Sequence, residues 1–209
     1  GDITSNEEEG AILLNNEYQI DFLSFKPEIA LFDDTKTGKN KGSSFEFYIY
    51  ISAPTILTRK YRYYIFSFTE QDENNNITKE FSFFNSNDGL GIEIKDTDTN
   101  ILTYGNTNYS TLDKYYNKWV QIVLVYQKPV TDTRQSEIRV YITDEDEWNT
   151  NSTITEIGNY IGGTDLTQQI LSNTYNRSFI NSYNLNKLAP TDTLLLSNNM
   201  NIKYFRIWN

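Results

Sequence analysis

The feature that most constrains the fold is a pair of apolar segments in the middle of the chain. The first is residues 117–126, Asn-Lys-Trp-Val-Gln-Ile-Val-Leu-Val-Tyr, and the second is residues 137–142, Glu-Ile-Arg-Val-Tyr-Ile. β-Branched and aromatic residues are enriched in strands, and a polar loop separates the two segments. They therefore predict a long β-hairpin at the centre of a sheet, with Trp119 filling the space between two sheets.

Other segments alternate apolar and polar residues with the period of a strand. In residues 43–52, Phe45, Phe47, Ile49 and Ile51 fall on one face of the predicted strand. The remaining predicted strands are residues 61–69, 80–84, 89–94, 101–104 and 201–208. Many short strands separated by turn formers, with no amphipathic helix, predict an all-β fold, a two-sheet antiparallel jelly-roll sandwich.

The length of 209 residues suits one domain. We expect residues 1–9 to be a flexible acidic start and residues 10–209 to be a single jelly-roll domain. The polar, Asn-rich region 173–192 is expected to be a long surface loop. Because the last strand pattern ends at the final residue, we expect the sequence to be a piece of a longer polypeptide.

Composition excludes several classes of function. The chain has no Cys and no His, so disulfides, thiol nucleophiles, Cys/His zinc sites and Ser-His-Asp triads are all excluded. The formal net charge of −10 argues against nucleic acid as a partner, since phosphate binding needs clustered Lys and Arg. No apolar window is long enough to predict a transmembrane segment. We expect no cofactor.

Three of the predicted strands carry motifs that resemble a known family. They are Ser-Phe-Glu-Phe-Tyr-Ile at residues 44–49, Tyr-Asn-Lys-Trp-Val at 116–120 and Ile-Lys-Tyr-Phe-Arg-Ile at 202–207. In this order they resemble the concanavalin A or laminin G-like, lectin-like jelly roll. More narrowly, they are similar to the amino-terminal half of the receptor-binding region of clostridial neurotoxins, or to a related protein of the same toxin gene clusters.

This resemblance implies a non-enzymatic binding or spacer module of a secreted bacterial toxin. Its implied partners are the adjacent domains of the same polypeptide and a cell-surface glycan or protein receptor. In the neurotoxins the ganglioside pocket lies in a β-trefoil, which this chain lacks, so no family binding residue is carried over. The chain also departs from the family where Tyr141–Asp144 replaces a Tyr-Ile-Asn-Gly turn.

Aromatic residues supply the candidates for ligand binding. Sugar binding needs exposed rings for the apolar faces of pyranoses, together with polar groups for the hydroxyls. Tyr48 and Tyr50 share the outward face of one predicted strand, and Tyr63 and Trp148 are the other candidates. The alternative interpretation is that the tyrosines pack against a neighbouring loop or domain.

The acidic loop 144–148 leads to an alternative function. Asp144, Asp146 and Glu147 are the nearest candidates for the two carboxylates of a jelly-roll carbohydrate-active enzyme, and the same loop suits a free-standing lectin. A solvated charged loop is the simpler interpretation, because these residues follow the strand that ends near residue 143 and form no ladder of carboxylates within a strand. Glu93 is a single carboxylate within a strand, with no matched partner in the sequence.

One spacing pattern suggests calcium. Asp96, Asp98 and Asn100 have the alternate oxygen spacing of the first half of a calcium loop. Ile101 replaces the turn glycine of an EF-hand and Thr107 its bidentate glutamate, so an EF-hand is excluded. A looser calcium site and a polar hairpin turn that needs no ion both remain open.

Overall fold

Most of the chain that the structure describes is strand. The computed structural model describes residues 3–6, 11–14, 18–19, 24–25, 29–30, 42–53, 59–95, 101–105, 112–127, 136–144, 155–162, 174–196 and 200–208. One short 3-10 helix, Leu112–Tyr115, lies among the strands. Within these ranges no helix is long and apolar enough to cross a membrane.

The first sheet has eight strands. They are β1 (Ile3–Asn6), β2 (Ala11–Leu14), β3 (Tyr18–Gln19), β6 (Gly42–Ile51), β11 (Trp119–Gln127), β12 (Ser136–Asp144), β13 (Thr155–Gly162) and β17 (Met200–Trp208). Their order is β1-β2-β17-β6-β11-β12-β13, with β3 also paired to β17. All pairings in this sheet are antiparallel.

The second sheet has seven strands. They are β4 (Ser24–Phe25), β7 (Lys60–Gln71), β8 (Ile77–Ser86), β9 (Gly89–Lys95), β10 (Ile101–Gly105), β15 (Arg177–Ile180) and β16 (Thr193–Leu196). Their order is β10-β9-β8-β7-β15-β4, and β16 runs parallel beside β7. A separate pair joins β5 (Ile29–Ala30) to β14 (Thr174–Tyr175). The prediction of an all-β, two-sheet sandwich is confirmed.

The predicted central hairpin is present in the first sheet. β11 pairs with β12 from Val120 opposite Asp144 to Gln127 opposite Glu137. β6 pairs along the other edge of β11, so β11 has a partner on each side. The inward residues of β6, Phe45, Phe47, Ile49 and Ile51, are buried as the alternation predicts.

Trp119 does not lie between the sheets, and that prediction is wrong. In the register of β11 with β6, Trp119 is opposite Tyr50 and Val120 is opposite Ile49. Val120 and Ile49 are buried in the core. Because successive residues of a strand point to opposite faces, Val120 at a core position places Trp119 on the outer face.

The core between the sheets is built largely from aromatic rings. Phe66 of β7 lies at its centre, with no exposed surface. Six rings from both sheets have centroids between 4.9 and 6.4 Å from that of Phe66: those of Phe45, Phe47, Phe68, Phe81, Phe83 and Phe205. Such ring pairs stabilise a fold by more than the burial of their apolar area alone. Because its partners come from both sheets, Phe66 holds the two sheets together.

β-Bulges interrupt several of the described strands, including β7 and β17. The register shifts in β7 between Tyr64 and Phe66, and in β17 between Lys203 and Arg206. In β17, Tyr204 takes a left-handed backbone conformation with φ of 54° and is 40% exposed. The next residue, Phe205, is fully buried. The bulge thus turns one ring outward and the next ring inward.

The region 173–192 is more than a surface loop, and that prediction is wrong. It contains β14 and β15, and its residues Asn181, Ser182, Asn184 and Lys187 are buried. This segment contributes β15 to the second sheet. It leads into β16, which pairs with β7. Polar composition was a poor guide here because the buried side chains of Asn184 and Lys187 find partners on the sheet.

Residues 3–6 form the edge strand β1, which pairs with β2. They lie inside segment 1–9, which we expected to be a flexible acidic start. The assignment of residues 10–209 to a single domain stays a prediction.

We expect Phe66→Ala to lower the free energy of unfolding by about 3–5 kcal/mol, because it leaves a cavity among six rings. Leu185→Ala is the matched control, since Leu185 is 78% exposed. That control should change stability by no more than about 0.5 kcal/mol. Urea unfolding monitored by tryptophan fluorescence measures both, and similar losses would contradict the placement of Phe66.

Candidate functional site

The outer face of the first sheet carries aromatic and charged side chains along β6. Glu46, Tyr48 and Tyr50 alternate with the buried Phe47 and Ile49 and therefore point away from the core. All three outward side chains are partly exposed. The alternation that predicted Tyr48 and Tyr50 on one face is confirmed.

Neighbouring strands extend this row into a surface that we call the aromatic strip: Tyr48, Tyr50, Trp119, Lys203 and Tyr204. The rings of Tyr50 and Trp119 have centroids 5.9 Å apart at 63°, and those of Tyr48 and Tyr204 are 5.9 Å apart at 83°. Both pairs have the edge-to-face geometry that aromatic rings favour. The strip is therefore a continuous surface across β11, β6 and β17.

Two cations and one carboxylate border these rings. The ammonium of Lys203 lies 4.2 Å from the centroid of Trp119, and the guanidinium of Arg206 lies 6.0 Å from that of Tyr204. Arg206 also lies 3.7 Å from the carboxylate of Glu46. Burial, and next the charge of Glu46, raise the pKa of Tyr48, so its hydroxyl stays protonated at neutral pH.

The exposed ring of Tyr204, beside hydroxyls and charged groups, suits a saccharide. A pyranose presents an apolar face to a ring and hydroxyls to polar neighbours. The left-handed conformation of Tyr204 is unusual for an aromatic residue. Such conformations cost free energy and concentrate at functional positions.

A second group of charged side chains is buried on the outer face of the second sheet. We call it the ionic cluster: Arg62, Tyr64, Glu80, Glu93 and Lys187. The ammonium of Lys187 donates to both oxygens of Glu80 at 2.8 and 2.7 Å, and to Glu93 Oε2 at 2.5 Å. The Lys187 side chain is 2% exposed, and those of the two glutamates are 1% exposed.

Arg62 and Tyr64 complete the coordination of Glu93. Arg62 Nη1 and the Tyr64 hydroxyl both donate to Glu93 Oε1, the latter at 2.7 Å. Glu80 also accepts from Ser82 Oγ at 2.8 Å. The two cations and two carboxylates balance in formal charge, which is the condition under which buried charges are tolerated.

The electrostatics of the cluster follow from its burial. Loss of solvation raises the pKa of Glu80, and the attraction of Lys187 opposes that rise. Burial by itself would lower the pKa of Lys187, but the two carboxylates outweigh burial and raise it. Burial and the charge of Glu93 raise the pKa of Tyr64, which therefore remains a hydrogen-bond donor.

The cluster fastens the segment that follows β15 to the sheet. Lys187 and Asn184 both point inward, and the Asn184 amide donates to Thr69 Oγ1 at 3.0 Å and Gln71 Oε1 at 2.8 Å. Leu185 and Leu188, between and after them, are 78% and 84% exposed. The segment thus turns polar side chains inward and leucines outward.

Glu93 is therefore not the unpartnered carboxylate that the sequence suggested. Glu80 and Glu93 lie on adjacent strands, but Lys187 contacts both carboxylates and solvent hardly reaches them. A glycosidase pair needs space for a sugar between or beside its carboxylates. The role of this arrangement is structural, because it holds the segment that follows β15 against the sheet.

Of the remaining predicted site residues, the two that the structure describes, Tyr63 and Asp144, lie away from the strip. Tyr63 lies on β7 of the second sheet, where its ring forms an edge contact with Tyr61 at 5.3 Å. Asp144 pairs with Lys118 at 2.8 Å. The other predicted positions lie outside the described residues: Asp96, Asp98, Asn100, Asp146, Glu147 and Trp148. Within the described part of the chain, no group of three acidic side chains is placed to hold a metal.

The chain is similar in structure to several solved proteins, with low sequence identity to each. No family model and no curated protein sequence matches the chain. Among solved structures, domains LG4-5 of the mouse laminin alpha1 chain are 11% identical, with a TM-score of 0.47, over 97% of this chain and 42% of that one. The botulinum neurotoxin serotype G binding domain is 14% identical, with a TM-score of 0.41, over 95% of this chain and 39% of that one.

A third similar structure is the endo-beta-1,4-glucuronan lyase of the fungus Trichoderma reesei, 9% identical with a TM-score of 0.46, over 95% of this chain and 80% of that one. Both groups named from the strand motifs, laminin G domains and neurotoxin receptor-binding domains, are thus among the similar structures. The chain spans about two-fifths of the laminin and neurotoxin chains. At these values no property of a neighbour is transferred to this chain.

We expect Lys187→Met to lower the free energy of unfolding by about 3–5 kcal/mol, because it leaves two carboxylates buried against one cation. Lys114→Met is the matched control, since Lys114 is exposed on the 3-10 helix. Urea unfolding at neutral pH measures both variants. A Lys187 variant as stable as the control would show that the cluster does not fasten the segment.

The contribution of Lys187 should also depend on pH in a defined direction. Its pKa is raised on folding, so its stabilisation is fully present below the unfolded value of about 10.4 and is lost as pH rises through the folded value. The difference in unfolding free energy between wild type and Lys187→Met should stay constant from about pH 7 to 9 and shrink above about pH 10.5. A difference that grows with alkalinity would contradict this sign.

Proposed function

We propose that this chain is a non-enzymatic binding module of a secreted clostridial-type toxin and that it holds a saccharide on the aromatic strip. The observation that carries the proposal is the exposed ring of Tyr204 on its bulge, edge to face with Tyr48 and bordered by Lys203 and Arg206. These groups supply a stacking surface and hydrogen-bond donors together.

One further observation supports a binding role over a catalytic one. The carboxylates of the ionic cluster are enclosed by Lys187 and Arg62 and have no room for a substrate. The toxin part of the proposal is supported by the three strand motifs at residues 44–49, 116–120 and 202–207, which resemble the neurotoxin family in order.

The proposal is tested with an array of glycans and two variants. Tyr204→Asn removes the ring while keeping a residue that accepts a left-handed backbone. We expect it to weaken binding to any glycan that the wild-type chain retains by about tenfold, since one stacking contact is worth about 1–1.5 kcal/mol. Tyr63→Ala, on the other sheet, should bind as the wild type does.

Two outcomes would overturn the saccharide proposal. The first is the absence of binding to every glycan and to lipid vesicles, which would leave a spacer between toxin domains. The second is equal binding by wild type and Tyr204→Asn. If the chain hydrolyses a glycan and Asp146→Asn abolishes that activity, the chain is instead a carbohydrate-active enzyme. The toxin origin is tested separately, by the sequence of the flanking domains.

A further inference from the structure

An open groove of about 710 Å³ lies at one end of the second sheet, away from the aromatic strip. It is bounded by the start of β7, by the turn between β8 and β9, and by the segment from Pro190 to Thr193 that leads into β16. This volume is in the range of about 300–1,000 Å³ that small-molecule sites occupy.

Two glycines and the ring of Phe84 form part of the groove lining. A Cβ atom at Gly91 would overlap the ring of Phe84, so only glycine fits beneath that ring. Gly89 has φ of 110°, which an L side chain rarely adopts. Both glycines line the groove and are buried, so they add no side chain to its volume.

The ionic cluster positions Arg62 in the wall of this groove. Its guanidinium lies 4.6 Å from the centroid of Phe84 and donates through Nη1 to Glu93. The cluster holds Glu93 through Tyr64 and Lys187, so the arginine is fixed in position. A guanidinium has five N–H donors, the contact with Glu93 leaves others unused, and the Arg62 side chain is 19% exposed.

Two cationic side chains line the groove. Lys60 and Arg62 are positive and Asp88 is negative, and Glu93 of the ionic cluster neutralises Arg62, so the groove offers an anion the ammonium of Lys60 and the guanidinium N–H groups that Glu93 does not use. Lys60 is exposed at the rim, one strand position from Tyr61. Tyr61 is itself fixed by its backbone N–H, which donates to Asn87 Oδ1 at 2.7 Å.

We propose that this groove is a second ligand site, which binds an oxyanion carried on a small polar molecule, with Arg62 and Lys60 as its anchors. A planar guanidinium fork matches a carboxylate, sulfate or phosphate. Asn87, Thr191 and Thr193 line the same groove and offer amide and hydroxyl groups to the rest of the ligand. The site does not depend on the aromatic strip.

The test is an NMR titration of the full chain, labelled with nitrogen-15. Glucuronate is added in one titration and glucose, which lacks the carboxylate, in another. Sulfate and inorganic phosphate are added in separate arms to distinguish the sources of the anion. We expect glucuronate, and at least one of the inorganic anions, to shift the amide resonances of Asn87, Gly89 and Gly91, while glucose does not. The shifts should weaken as sodium chloride is raised.

Lys60→Gln should weaken anion binding by at least about threefold, because it removes one charged partner at the rim. Lys114→Gln makes the same charge change outside the groove and should bind as the wild type does. The proposal is overturned if no anion shifts these resonances at millimolar concentration, if glucose shifts them as glucuronate does, or if the two variants bind equally. Failure of the strip to bind glycans leaves this result unaffected.

Discussion

The contact of Lys187 with Glu80 and Glu93 is the interaction on which the second sheet and its covering segment depend. One ammonium fills the space between carboxylates from two adjacent strands and brings a distant segment onto the sheet. Burying these charges is costly, and the cost is offset only because every one of them has opposite charge and hydrogen bonds around it. The cluster also determines where Arg62 lies, and thereby the cationic wall of the groove beside it.

The two candidate surfaces are built in different ways. The aromatic strip is a property of one sheet face, in which register alone brings Tyr50 beside Trp119 and Lys203 beside Tyr48. The groove arises where three separate parts of the chain meet, and its arginine is positioned by side chains that a ligand never touches. Ring contacts determine the first surface and buried charge determines the second.

The strands were predictable because their signal is local, whereas the ionic cluster was not. Alternation in residues 43–52 identifies the inward side chains without knowledge of the rest of the fold. Lys187 is 107 residues from Glu80 and 94 from Glu93, and it sits in a polar segment whose composition resembles a loop. Trp119 was misplaced because its size and its apolar neighbours suggested the core, whereas Gln121 and Gln127, in phase with it along β11, mark its face as the outer one.

The bulge at Tyr204 has a consequence for how this strand is compared with others. Before it, the inward residues of β17 are Met200 and Ile202, at even positions; after it, the inward residue is Phe205, at an odd one. One extra residue therefore exchanges the two faces for the rest of the strand. An alignment of a distant sequence across β17 without a gap at this point would set a surface residue of one chain against a core residue of the other.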